Sequence, residues 1–291
     1  MSFKKLVFSG GGIKGIAFIG VLKYLEDKNI IKNIHTIVGT SVGALFGLLV
    51  TLGYKSDQIY KLINKIDLKK LQNINTDSVL NVFDVYGIDD FENIYNLLNI
   101  IIENKVYDKN ITFKELYLKT KIKLIIPVTC LNYKKLIYFD YINYPDVEIN
   151  LVIKMAMCIP VFFTPVIYKD LYYLDAGIIN NFSIDLFDIK DKEVIGFAFK
   201  SNNYVDIKSF QEFIKTLIFA AINEKEQDII KKYKHCSVLI DCDDFSLFDF
   251  DISDDDKKKL FQLGYTNVKN FFDNIISNKW YNLKIKLDLI L

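Results

Sequence analysis

The chain has 291 residues, of which 51% are hydrophobic and 25% charged, and its 37 basic and 36 acidic side chains leave a net charge of +1. This composition is typical of a globular protein that is long enough to bury a large core. The near-neutral charge and the lack of a Lys/Arg-rich block argue against a nucleic-acid-binding protein.

A glycine-rich loop follows the first predicted strand. The strand is expected over residues 4–9, and the loop leads into a helix over about 16–28. Without side chains, backbone amides at a helix N-terminus can approach an anion, either a phosphate or the oxyanion of a tetrahedral intermediate. The loop comprises Gly10, Gly11, Gly12, Ile13, Lys14 and Gly15. The residues before it leave no room for a cleavable signal peptide, so we expect an intracellular, cytoplasmic protein.

The same six residues also satisfy the Gly-x-Gly-x-x-Gly pattern of dinucleotide-binding proteins. Such a site needs an acidic residue at the end of the second strand, where this chain has Gly39-Thr40-Ser41 instead. A phosphate-binding P-loop is disfavoured because Lys14 precedes Gly15 and does not follow it. A nucleotide-binding enzyme is therefore only a third alternative.

The stretch from Ile34 to Gly47 reads as a strand, a sharp turn and an apolar helix. Gly39-Thr-Ser41-Val-Gly43 has the Gly-x-Ser-x-Gly pattern of a nucleophile elbow, in which a strained turn presents the serine hydroxyl. We expect Gly39 and Gly43 to be required because side chains there would collide where strand and helix cross. Residues 36–54 carry no charge, but five interruptions by glycine and serine argue against a membrane span.

The rest of the chain alternates between predicted helices and strands. This alternation predicts a three-layer α/β/α sandwich with a mainly parallel central sheet. We expect a single domain over 1–291, with its core over about 4–200 and a C-terminal extension over about 201–291. Helices are expected over 56–66, 90–103, 112–119, 147–158 and about 210–232, and after Ser253; strands are expected over 124–130, 136–140, 166–168, 171–174, 194–199 and 238–240. The helix at 112 opens with a Thr112/Glu115 capping box.

Asp175 follows a predicted hairpin that turns at Lys169-Asp170. It could be a catalytic carboxylate or an aspartate of an ordinary turn formed with Ala176 and Gly177. A Ser-His-Asp triad would need a histidine, and only His235 gives the chain order Ser41, Asp175, His235 of α/β-hydrolases.

Other potential sites have structural interpretations. The cysteines form no metal-binding pattern and are expected to be buried, reduced thiols; they are Cys130, Cys158, Cys236 and Cys242. The acidic stretch 241–256 lacks the glycine and the terminal glutamate of an EF-hand, so we predict no metal site. Aromatic residues before Asp175 could line an acyl-chain pocket, touch a membrane or pack in the core; they are Phe162, Phe163, Tyr168, Tyr172 and Tyr173.

Taken together and in this order, the motifs resemble those of the patatin-like phospholipase family, in particular its bacterial-type members. The glycine loop and the serine motif come first; residues 156–165 then resemble the family's Ala-Ser-x-x-x-Pro-x-x-Phe-x-Pro block, with Met157 in place of the serine. Asp175-Ala176-Gly177 and Asn181 resemble the family's aspartate segment. Residues 250–265 resemble its C-terminal helix, so the resemblance covers most of the chain.

The resemblance implies a calcium-independent serine acyl hydrolase without cofactors. It implies that Ser41 is the nucleophile, that Asp175 is the general base and that the glycine loop forms the oxyanion hole, with the Gly11 and Gly12 amides facing the oxyanion. Lys14 would support that loop or bind phosphate, although a solvated lysine is an equal alternative. The expected substrate is a phospholipid or another acyl lipid, reached by transient contact with a membrane surface and without a transmembrane segment.

Two alternatives on the same fold stay open. One is a non-catalytic lipid-binding or scaffold protein, and the other is an esterase with a Ser41-Asp175-His235 triad. The headgroup and the position of the cleaved ester are not determined by these motifs.

Overall fold

The computed structural model describes residues 3–74, 82–200, 206–208, 210–246 and 250–288. Residues 247–249 of the acidic stretch lie outside the described residues. The strands are β1 Lys5–Phe8, β2 Thr36–Gly39, β3 Gly87–Asp89, β4 Lys123–Cys130, β5 Lys135–Phe139, β6 Val161–Phe163, β7 Val166–Tyr168, β8 Leu171–Asp175, β9 Val194–Phe199 and β10 Ser237–Ile240. The α-helices are α1 Ala17–Asp27, α2 Val42–Thr51, α3 Ser56–Lys65, α4 Val82–Val85, α5 Glu92–Val106, α6 Phe113–Thr120, α7 Ile149–Met157, α8 Phe210–Lys232 and α9 Asp254–Asp288. Short 3₁₀ helices include Gly12–Ile16, Leu68–Leu71 and Ala176–Ile178.

The central sheet is parallel over most of its width. Its parallel part has the strand order β10-β9-β1-β2-β4, and the antiparallel strands β5, β7 and β8 extend it beyond β4. The predicted three-layer α/β/α architecture is confirmed. The carboxyl ends of the parallel strands lie at one edge of the sheet, where functional side chains are usually found.

Alternating side chains of the strands divide the core into two layers. Leu6 and Phe8 of β1 face the larger layer, which includes α1, α2, α7 and part of α9. Val7 and Val38 face the smaller layer, together with buried residues near the end of α8. Because both faces of the sheet are covered, its strands are apolar on both sides, as expected for buried parallel strands.

Residues beyond 200 contribute to the same sheet and the same core. Strand β10 pairs with β9, and α9 packs against α1 at two glycines. A Cβ added at Gly264 would lie 1.8 Å from the carbonyl oxygen of Ala17, and one at Gly20 would lie 1.9 Å from that of Phe261. The two helix backbones are therefore in direct contact.

Most predicted elements agree with the structure to within a few residues. The predicted hairpin forms as β7 and β8, and its turn residues Lys169 and Asp170 both have positive φ. The capping box is also present, since Thr112 Oγ1 accepts from the Glu115 amide and Glu115 accepts from the Thr112 amide. All four cysteines are buried and free, as predicted. The short parallel pair β3 and β6 was not predicted.

The apolar stretch 36–54 forms β2 and α2 and continues into the loop before α3. Among the described residues, no helix is both long enough and apolar enough to cross a bilayer.

Candidate active site

Ser41 occupies the sharp turn between β2 and α2. Its φ and ψ are 55° and −127°, a strained conformation for a residue with a side chain, and it immediately precedes the first residue of α2. A Cβ at Gly43 would lie 2.6 Å from the carbonyl oxygens of Phe8 and Ser9, and one at Gly39 would lie 2.1 Å from that of Gly43. The steric need for both glycines is confirmed, and the turn has the geometry of a nucleophile elbow.

Asp175 lies next to Ser41 because β2 and β8, which precede Ser41 and end at Asp175, both pair with β4. Val38 of β2 pairs with Ile125, so Ser41, three residues further on, reaches the level of Val128. Asp175 at the end of antiparallel β8 pairs with that same residue. The Ser41 side chain lies beside the Asp175 carboxylate, close enough to lower the pKa of that carboxyl, and the carboxylate accepts a hydrogen bond from the Gly177 amide at 2.7 Å.

The environment of Asp175 makes it an unusually basic carboxylate. Its side chain is almost completely buried, with 4% of the residue exposed. Burial raises the pKa of Asp175 to about 6, although the neighbouring Ser41 side chain and the hydrogen bond from the Gly177 amide stabilise the charged form. Asp175 is therefore ionised at neutral pH and yet binds a proton much more tightly than a surface aspartate does.

The glycine loop lies beside this pair. The Gly10 amide donates to the carbonyl oxygen of Asn181 at 3.1 Å, so it is already satisfied within the protein. The amides of Gly11 and Gly12 have no acceptor among the described residues, and Gly12 lines the same cavity as Ser41. Gly15 packs against Val42, where an added Cβ would lie 2.4 Å from a methyl carbon. The loop and the elbow are thus in contact.

Lys14 is buried, so of the two alternatives for this residue the solvated lysine is excluded. Only 8% of the residue is exposed, because the loop places its side chain beneath the stretch that follows β10. Burial lowers the pKa of Lys14, and the nearby charges of Asp241 and Asp243 oppose that shift. These two carboxylates therefore offset only part of the effect of burial on Lys14.

Both histidines of the chain lie far from Ser41. His235 is exposed just before β10, and His35 is exposed just before β2, so both are at the amino ends of parallel strands. Ser41 follows the carboxyl end of β2, and β10 is three strand spacings, or about 14 Å, from β2 across the sheet. The Ser41-Asp175-His235 triad is not formed.

Ser41 opens onto a cavity of about 170 Å³. Its walls come from α1, α2, α3, α5 and the 3₁₀ helix Leu68–Leu71, with Phe250 and Phe163 closing other sides. Among the described residues that line it, none is charged and Ser41 is the only one with a polar side chain. The cavity suits a hydrocarbon chain whose polar end lies at Ser41.

The sequence only partly predicted the walls of this cavity. Of the five aromatic residues considered for an acyl-chain pocket, Phe163 alone is among the lining residues that the structure describes, while Phe162 and Tyr173 are buried in the core. Most of the lining comes from α3 and α5, whose apolar stripes are also typical of ordinary core packing. Within the described chain, no group of three or more His, Cys, Asp or Glu side chains could hold a metal ion.

The fold and the site together have the features of a serine hydrolase with a carboxylate partner and an apolar acyl-chain cavity. The sequence model of the family described as "Patatin-like phospholipase" matches residues 6–188. The chain belongs to this family.

Similar proteins come from viruses and bacteria. The chain is 29% identical to protein R571 of Acanthamoeba polyphaga mimivirus over 287 residues, covering 94% of this chain and 95% of that protein. It is 34% identical over 186 residues to a protein of Invertebrate iridescent virus 6 named "Probable lipid hydrolase 463L", covering 63% of each chain. The family and this relative support lipid acyl hydrolase activity.

Two solved structures share the fold. VipD from Legionella pneumophila superposes with a TM-score of 0.64 at 18% identity, covering 94% of this chain and 67% of VipD. The type III effector ExoU superposes with a TM-score of 0.55 at 16% identity, covering 94% of this chain and 53% of ExoU. At these identities, the likeness concerns the fold alone.

Proposed function

We propose that this protein is a serine acyl hydrolase that cleaves fatty-acyl esters of membrane phospholipids or related lipids, with a Ser41-Asp175 dyad. The observation that carries the proposal is a serine in a nucleophile elbow beside a buried carboxylate, at the head of an apolar cavity. A nucleophile beside a base and a chain-binding cavity are what acyl transfer from a lipid requires.

In the first half-reaction, Ser41 Oγ attacks the ester carbonyl carbon while its proton passes to Asp175. The carbonyl oxygen becomes an oxyanion, which collapses as the ester bond breaks and the leaving alcohol takes the proton from Asp175. The acyl chain, now bound to Ser41, occupies the apolar cavity. In the second half-reaction, water loses a proton to Asp175 and attacks the acyl carbonyl. The bond to Ser41 Oγ then breaks, Asp175 returns the proton to that oxygen, and the fatty acid is released.

The Gly11 and Gly12 amides would stabilise the oxyanion. Both lie in the glycine loop next to Ser41 and have no acceptor among the described residues. A donor of this kind is worth about 3 kcal/mol in the transition state. Such help is needed because a carboxylate is a weaker base than a histidine toward an alcohol. We assign Lys14 to supporting the loop, since its side chain is buried and the charges of Asp241 and Asp243 lie near it.

A patch of exposed apolar side chains beside the cavity could contact the membrane that holds the substrate. We name it the hairpin patch; it consists of the exposed Tyr86, Leu131, Tyr133 and Ile167 together with the half-buried Tyr172, which contacts several of them. Its members are neighbours: Ile167 pairs with Tyr172, the Leu131 amide donates to the Tyr172 carbonyl at 2.9 Å, and the Tyr86 and Tyr172 rings are 6.2 Å apart.

The position and the charge of the hairpin patch support contact with anionic lipid. The turn after β4 lies on the same side of the sheet as Ser41 but further out, since β4 runs parallel to β2. Tyr86 directly precedes β3, which pairs with β6 at the cavity wall. Lys135 lies 5.3 Å from the Tyr133 ring and Lys169 lies in the neighbouring turn. Aromatic rings flanked by lysines are typical of protein surfaces that bind membranes.

A matched pair of substitutions tests this contact. Ile167 and Ile142 are both 60% exposed, but Ile142 lies after β5 and hence at the opposite end of the sheet. We expect Ile167→Asp to weaken co-sedimentation with vesicles of mixed neutral and anionic phospholipid by at least about fivefold, since a buried charge opposes insertion. Ile142→Asp should leave it unchanged. Equal effects of the two substitutions would contradict the assignment.

The catalytic proposal is tested by fatty-acid release from mixed phospholipid vesicles in the presence of EDTA. We expect the wild type and His235→Ala to be active, and folded Ser41→Ala and Asp175→Asn to be inactive. Loss of activity with EDTA would contradict calcium independence, and loss with His235→Ala would contradict the dyad. If the wild type binds vesicles but releases no fatty acid from any lipid, the non-catalytic lipid-binding alternative is correct.

A further inference from the structure

Glu226 is a buried carboxylate outside the residues that the family's sequence model matches. It lies on α8, well beyond residue 188, and only 8% of it is exposed. It shares the inward side of the helix with Ile229 and Ile230 and with Tyr233 just after the helix, all of which are buried, while Glu224, two residues earlier, is exposed. Burying a carboxylate on an otherwise apolar side is unfavourable unless its hydrogen bonds compensate.

Glu226 has one hydrogen-bond partner among the described residues, the side chain of Asn181. Its Oε1 atom accepts a hydrogen bond from Asn181 Nδ2 at 3.0 Å. No described cation lies within ion-pair distance of it. Burial raises the pKa of Glu226, and the bond from Asn181 opposes the shift. The interaction of Glu226 is thus directed at a single side chain.

Asn181 in turn holds Gly10 of the glycine loop. Its carbonyl oxygen accepts from the Gly10 amide at 3.1 Å, and its Nδ2 atom lies 3.5 Å from the Gly10 carbonyl oxygen. That carbonyl oxygen also accepts from Ser9 Oγ at 3.0 Å. A Cβ at Gly10 would lie 2.3 Å from Asn181 Oδ1, so the amide side chain packs directly on the loop.

The Gly10 carbonyl and the Gly11 amide belong to one planar peptide group. In a trans peptide the C=O and the N–H point in opposite directions, so whatever orients the carbonyl also orients the amide. The structure contains no cis peptide among its described residues. Holding the Gly10 carbonyl on the Asn181 side therefore directs the Gly11 N–H away from Asn181.

We infer that Glu226 is a positioning residue for the oxyanion hole. It orients the Asn181 side chain, which orients the Gly10-Gly11 peptide, and this sets the direction in which the Gly11 amide donates. The inference rests on the proposed function, because it assigns Gly11 to the oxyanion. Glu226 itself touches neither Ser41 nor the substrate.

The test compares steady-state kinetics of folded variants on a soluble short-chain p-nitrophenyl ester. Glu226→Met keeps the length of the side chain but removes the acceptor, and we expect kcat to fall at least about tenfold with KM within about twofold, as for a misplaced oxyanion donor. Glu226→Gln keeps an acceptor oxygen and should retain most of the activity. Glu224→Ala, on the exposed side of the same helix, is the control and should match the wild type.

A double-mutant cycle separates this role from a general loss of stability. If Glu226 acts through Asn181, then Glu226→Met should have little further effect on kcat in an Asn181→Ala background. Additive losses would overturn the inference, as would a kcat for Glu226→Met within twofold of the wild type. If Glu226→Met does not fold, Asn181→Ala alone must lower kcat tenfold for the inference to stand. A wild type without Ser41-dependent hydrolysis would refute the proposed function, and this inference with it.

Discussion

Replacing Asp175 by asparagine should abolish ester cleavage and at the same time stabilise the protein at neutral pH. The substitution keeps the size of the side chain and an oxygen that can accept from the Gly177 amide. It removes a negative charge that is almost fully buried and has no basic partner among the groups that shift its pKa. The charge that the proposed role of Asp175 as a base requires therefore lowers the stability of the fold.

The size of this cost follows from the pKa of Asp175, which burial raises from 3.8 to about 6. Two pKa units correspond to about 3 kcal/mol of unfolding free energy. Since the native state holds the proton more tightly than the unfolded chain, the protonated form favours folding. The stabilisation that comes from protonating Asp175 is fully present below about pH 4, falls as pH rises, and is lost above about pH 6.

The measurement is urea-induced unfolding of the wild type and Asp175→Asn between pH 4 and pH 8. We expect the variant to be more stable by about 3 kcal/mol at pH 8 and by less than about 1 kcal/mol at pH 4. Asp146→Asn, which removes an exposed carboxylate, serves as the control and should show no such trend. The reasoning is refuted if the difference does not vary with pH, or if the variant is the less stable protein at pH 8.

Three further predictions concern the site and its walls. Activity on a soluble ester should be half-maximal near pH 6 and fall about tenfold per pH unit below it, as Asp175 is protonated; a midpoint near pH 7.5 would indicate another base. Gly43→Ala should lower the unfolding free energy by about 3 kcal/mol, because its Cβ would meet backbone oxygens at 2.6 Å. Gly47→Ala in the same helix, where the nearest atom is a methyl at 3.1 Å, should cost less than about 1 kcal/mol in the same urea titration. Leu97→Trp should reduce cleavage of long-chain esters at least about tenfold relative to butyrate esters, since it fills the cavity; an unchanged chain-length profile would place the acyl chain elsewhere.

The sequence was sufficient for features that depend on short stretches of chain. The elbow at Ser41 needs two glycines within five residues, and the β7-β8 hairpin needs a tight turn at Lys169-Asp170; both are local patterns, and both formed as predicted. The strands of the central sheet could also be predicted from the sequence, because strands buried on both faces are continuous apolar runs.

Other features depend on contacts between distant parts of the chain, and the sequence either did not predict them or left alternatives open. The short strands β3 and β6 pair across more than 70 residues and have too little pattern of their own. Lys14 is buried because the stretch after β10 covers it, which its local sequence does not reveal. His235 had the chain order of a triad, but the position of β10 in the sheet removed it from Ser41.

The sequence by itself determined the residue types of the site: a serine in an elbow, a glycine loop at a helix N-terminus and an aspartate after a hairpin. These are local conformational requirements, which a few neighbouring residues satisfy. Only the tertiary structure decided that Ser41 and Asp175 lie side by side, that burial makes this aspartate basic, that the neighbouring cavity is apolar, and that Glu226 reaches the glycine loop through Asn181. Burial and hydrogen bonding between distant segments arise from how the layers pack, and packing is a property of the whole chain.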